Sequence, residues 1–149
     1  MPQANDAEIV RVYTRNAGGT VADRTPNISG GTPSFQVVVE SEAGNTLAGG
    51  GASYLLSIEA FDLTAGNNPG GSLSAKTTPP GKIFDAGGAT PHWPQNTEVF
   101  TISLTAAQVT ALTNHVLRYT ASLVSPDPAS GLTPIIVSFA ESEPFILIV

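Results

Sequence analysis

Short runs in which every second residue is apolar, separated by clusters of Gly, Pro and Asn, dominate this sequence. A two-residue period belongs to a strand with one face buried, because successive strand side chains point to opposite faces. In Phe35 to Glu40, the residues Phe35, Val37 and Val39 share one face while Gln36 and Glu40 take the other, and β-branched residues fill the centre. In Ser53 to Leu63, Tyr54, Leu56, Ile58 and Ala60 form one face. Phe61 and Leu63 then fall on the polar face, which predicts a bulge near Ala60 or a loop covering that end. Glu98 to Leu104 places Phe100, Ile102 and Leu104 inward, and Leu117 to Val124 places Leu117, Tyr119, Ala121 and Leu123 inward. Ile9 to Thr14 reads as an N-terminal strand. Ile135 to Phe139 begins a C-terminal one that breaks at Glu141-Ser142-Glu143-Pro144 and resumes at Phe145.

Between the second and third of these strands, Ala43 to Ala52 carries Gly44-Asn45 and Gly49-Gly50-Gly51 and reads as a long hairpin connection. Residues 64–97 hold Pro69-Gly70-Gly71, Pro79-Pro80-Gly81 and Gly87-Gly88. A structureless stretch of that length is uncommon in a compact domain, so short edge strands are expected near Ser72 to Lys76 and Lys82 to Phe84. One helical turn has local support. Thr105-Ala106-Ala107-Gln108 fits a capping box, with Leu104 and Val109 placed as a hydrophobic staple.

The expected fold class is therefore all-β: a two-sheet antiparallel sandwich of about seven to nine strands with one short capping helix. A length of 149 residues suits a single domain spanning 1–149, since a chain of this size buries about 70% of its unfolded surface. The strand order, with a helical turn before a strand bearing an inward tyrosine in Leu117-Arg118-Tyr119-Thr120-Ala121, resembles immunoglobulin-like and fibronectin type III-like sandwiches. The resemblance implies that Tyr119 makes the tyrosine corner of those folds, and that the module serves adhesion, binding or assembly. The sequence departs from the family in lacking a cysteine pair, and its lone Trp93 lies in a Pro-flanked loop instead of a core strand.

Charge narrows the function. The net charge is −6, and Arg11, Arg15, Arg24, Lys76, Lys82 and Arg118 are scattered, whereas phosphate recognition needs clustered cations; no nucleic-acid partner is expected. Only 12% of residues are charged against about 25% in an average domain. The polar surface must then come from Thr, Ser, Asn, Gln and Gly, a composition that suits extracellular or particle-associated proteins, although the compartment itself is not specified. No basic-then-apolar leader opens the sequence, and no apolar run approaches the roughly 20 residues of a membrane-spanning helix. Membrane insertion is not expected. With no cysteine, neither disulfide nor thiolate metal site can form.

No catalytic, metal or cofactor residues are assigned. The H-E-x-x-H, G-x-S-x-G and phosphate-loop patterns are missing, and His115, in Thr113-Asn114-His115-Val116, reads as a loop residue. Glu40 with Glu42 and Glu141 with Glu143 read as solvated strand edges, while Asp62 could join a site only in three dimensions. Two features suggest binding. His92 and Trp93 lie between Pro91 and Pro94, where an indole can stack on a sugar ring or an apolar partner. The run Phe145, Ile146, Leu147, Ile148 and Val149 is apolar on both faces, so it needs cover either from the rest of the chain or from another subunit. The expected function is a non-enzymatic structural or interaction module with a protein partner or self-association. The alternative is a carbohydrate- or small-ligand-binding module built on the Trp93 loop.

Overall fold

A computed structural model describes residues 6–44, 53–77, 82–83 and 95–149. Its described residues form nine strands, one short helix and two 3-10 turns. The strands are β1 (Ala7–Asn16), β2 (Ser34–Ala43), β3 (Ser53–Asp62), β4 (Ala75–Lys76), β5 (Lys82–Ile83), β6 (Gln95–Ser103), β7 (Val116–Ser125), β8 (Ile136–Glu141) and β9 (Phe145–Ile146), and the helix α1 spans Ala106–Leu112. The first sheet has the order β1-β2-β6; the second runs β4-β3-β7-β8, with β5 also on β3 and β9 also on β7. Every strand pair is antiparallel.

The alternation read from the sequence becomes the core. Phe35, Val37 and Val39 of β2 face Leu56 and Ile58 of β3 and Leu117, Tyr119, Ala121 and Leu123 of β7 within one continuous buried cluster. At its centre the rings of Phe35, Tyr119 and Phe145 lie 5.7 to 6.2 Å apart, with Tyr119 and Phe145 stacked at 9°. These three rings come from β2, β7 and β9, so they join the two sheets. The Tyr119 hydroxyl donates to the Leu73 carbonyl at 2.9 Å. Leu73 belongs to the 3-10 turn Gly71–Leu73, 46 residues upstream. A tyrosine corner bonds backbone only a few residues away; the Tyr119 bond is instead a long-range tie between β7 and the turn before β4.

The capping box forms as the sequence predicts: Gln108 N–H donates to Thr105 Oγ1 at 3.2 Å and Thr105 N–H to Gln108 Oε1 at 2.8 Å. The short strands expected inside 64–97 are β4 and β5, both on β3. Two expectations need correction. β2 and β3 do not pair as a hairpin, because they belong to different sheets, and residues 45–52 between them lie outside the described residues. Nor does β3 shift register near Ala60. Its pairing with β7 runs unbroken from Leu55 to Asp62, so Phe61 stays on the outer face, half exposed, and the next inward position is held by a carboxylate, Asp62. The bulge lies instead in β1, between Ile9 and Arg11, where Val10 turns to solvent.

Candidate functional site

The inward residues of the C-terminal run are covered from within the chain. Phe145 and Leu147 are fully buried. β9 pairs with Val116 and Leu117 of β7. On its other side, Ile146 N–H donates to the Arg24 carbonyl, Ile148 N–H to that of Pro26, and Ile28 N–H to that of Ile148, at 2.8 to 3.1 Å. Ile148 and Val149 reach the surface. His92 and Trp93 lie outside the described residues. The paired carboxylates Glu141 and Glu143 each meet an arginine at 3.3 Å, Arg118 and Arg24 respectively. Among the described residues no group of three or more His, Asp or Glu converges in a way that could hold a metal ion, and no helix there is long and apolar enough to cross a membrane.

Only the fold brings Asp62 and His115 together. β3 ends at Asp62, whose Oδ1 accepts the N–H groups of Thr64 and Ala65 at 3.0 and 2.9 Å and so forms the turn that follows. α1 ends at Leu112, and Asn114 adopts a left-handed conformation at φ 69°, one that asparagine tolerates better than most residues. That reversal starts β7 and aims the His115 ring at Asp62, with Nδ1 to Oδ2 at 2.7 Å. The Asp62 side chain is only 3% exposed. Burial alone would raise its pKa, but the turn amides and His115 outweigh burial and hold the carboxyl below its ordinary value. Leu63 N–H donates to the Val116 carbonyl, and Val116 N–H to Thr64 Oγ1, so the turn is stitched to β7 on both sides of the pair. Among the described residues the His115 ring makes this one hydrogen bond, and no hydroxyl is held against it as a nucleophile would be.

A second feature lies on the outer face of the second sheet. Ile135, just before β8, and Val137 and Phe139 within it turn to solvent, with exposures of 78, 56 and 69%. Ile136 is buried, and Ser138 and Ala140 share its inward face. By side-chain size alone the opposite register would be expected, since shifting a strand by one residue exchanges its two faces. The reason lies in β1, which runs beside β8: Ile9 N–H donates to Ser138 Oγ at 3.0 Å. Small side chains at 138 and 140 let β1 close against β8, whereas Val137 and Phe139 in their place would hold it off. The larger apolar row is left outside.

Beside that row, the same face is concave. Ser57, Thr120, Ser122, Ser74 and Ala75 line a trough of about 480 Å³, with Lys76 of β4 and Phe139 of β8 on opposite sides and Glu59 of β3 also at its border. The trough exists because its floor carries small residues, including Ser57 and Ser122, whose hydroxyls bond each other at 2.7 Å across the β3–β7 pair. The row Ile135, Val137 and Phe139 can be read from the sequence as alternating apolar residues, but nothing local shows which face meets water. No family model, curated protein or solved structure matches this chain.

Proposed function

We propose that this protein is a non-enzymatic structural or interaction module that works within a protein assembly, at a surface or in a particle. One observation carries the reading: Ile135, Val137 and Phe139 are turned to water in one row along β8, while Ser138 and Ala140 face the core beside Ile136. Burying a side chain of this class is worth about 1.5–3 kcal/mol when complete, so three of them left largely exposed in one row mark a surface that gains by being covered. The Asp62–His115 pair supports the same reading. Its carboxylate is committed to the turn at residues 62–65, and the pair works as a structural clamp between the end of β3 and the start of β7.

An immunoglobulin-like or fibronectin type III-like kinship belongs to this proposal at the level of architecture only. Two antiparallel sheets and one short helix support it, while the distant partner of Tyr119 speaks for a different way of locking the strands. Affinity capture from native extract tests the function. Immobilised wild-type chain should retain proteins, copies of itself included, that a Val137→Glu/Phe139→Glu double variant loses. Identical retention by both, with both folded by circular dichroism, refutes the reading.

A further inference from the structure

The outer face of the second sheet carries both halves of a contact. The ridge formed by Ile135 and, on β8, by Val137 and Phe139 lies directly beside the trough floored by Ser57, Thr120 and Ser122 on β3 and β7. A surface holding a ridge and a hollow side by side supplies both parts that a twofold contact requires, because in an isologous contact whatever one copy inserts it also receives. From this juxtaposition, and resting on the interaction-module reading above, we infer that the partner of this face is a second copy of this chain, with each copy's Phe139 seated in the other's trough.

Charge supports that occupant. The chain carries −6 overall, so two copies repel across most approaches. On this face the charges cancel: Glu59 and Lys76 border the trough, and Arg118 holds Glu141 at 3.3 Å beyond Phe139. The pairing across the sheet sets the layout. Val124 lies opposite Val137 and Ser122 opposite Phe139, while Thr120 lies opposite Glu141. The ridge is thus apolar from Ile135 to Phe139, and charge begins only at its end, already neutralised. Two acidic copies can meet here without bringing like charges into contact.

Sedimentation of the purified chain tests the inference, run from about 1 μM to about 1 mM. The wild type should shift from the 15.3 kDa of one chain to twice that mass. Phe139→Glu, which removes the knob, and Ser122→Tyr, which fills the hollow, should each weaken self-association about tenfold or more. Val10→Glu, at the exposed bulge of the other sheet, should leave it unchanged. Circular dichroism and urea midpoints confirm that each variant is folded. A wild type that stays monomeric throughout overturns the second-copy inference, and if capture from extract still separates wild type from the double variant, the interaction-module reading stands without it. A dimer that survives both Phe139→Glu and Ser122→Tyr, or that dissociates with Phe139→Glu but not with Ser122→Tyr, also overturns it, since either result places the contact elsewhere than ridge in trough.

Discussion

Replacing Asp62 by alanine should destabilise the fold by about 3 kcal/mol. The carboxylate accepts three hydrogen bonds, two from turn amides at 2.9 and 3.0 Å and one from His115 at 2.7 Å. Hydrogen bonds to a charged group are worth about 1.5–3 kcal/mol when buried, but the two amides are only partly buried and His115 is one-third exposed. Water can therefore recover part of each, which leaves about 1 kcal/mol per bond. For a chain of this size that total lowers Tm by about 6–12 °C. Asp62→Asn keeps an oxygen for the turn amides, and His115→Ala removes only the third bond; each should cost about 1 kcal/mol. Urea unfolding of the three variants separates the contributions. The pH dependence adds a second check. Because the folded-state pKa of Asp62 lies below its ordinary 3.8, its stabilisation is complete above pH 3.8 and fades as pH falls through the lower folded value. The gap between wild type and Asp62→Ala should therefore narrow in acid. A cost for Asp62→Ala no larger than that of His115→Ala would refute the reasoning, since the turn would then gain nothing from the carboxylate.

Three further outcomes follow from the packing. Tyr119→Phe strands the buried Leu73 carbonyl and should cost about 1–2 kcal/mol in urea unfolding; a change below about 0.5 kcal/mol would mean the tie contributes little. Ser138→Leu should cost about 1–3 kcal/mol, because the larger side chain wedges β1 away from β8 and removes the acceptor for Ile9 N–H, and a neutral result would remove the explanation for the exposed ridge. In alkali, Tyr54 is pushed up to about 12 by burial and by Glu98, and burial raises Tyr119 as well. The contribution of Tyr54 is complete below the unfolded value of 10.0 and erodes as pH rises through about 12, while that of Tyr119 goes on eroding beyond it, so the urea midpoint should fall from pH 10 upward, and Tyr54→Phe should flatten part of the fall.

Much of this architecture is legible in local pattern. The inward residues of β2, β3 and β7 can be named from alternation, because a strand with one face against a core must alternate. Thr105 and Gln108 mark the start of α1, because a capping box is satisfied by residues three apart. Alternation fails where the demand on a side chain comes from a distant element. Phe61 and Leu63 suggest either a bulge in β3 or a loop over its end, yet the strand continues in register and places Asp62 inward, where amides of its own turn and a histidine 53 residues away receive it.

The amino-acid order by itself determined which residues could be strands and which could end them, and it set the low charge and net −6 that shape any contact with a partner. Only the tertiary structure decided which face of β8 meets water, what covers Phe145 and Leu147, and that Asp62 meets His115. Those outcomes depend on pairing between segments far apart in the chain. β1 requires small neighbours at Ser138 and Ala140, and residues 24–28 supply the second edge for the C-terminal run. A local period can specify two faces of a strand, but the choice between them belongs to whichever element packs closest.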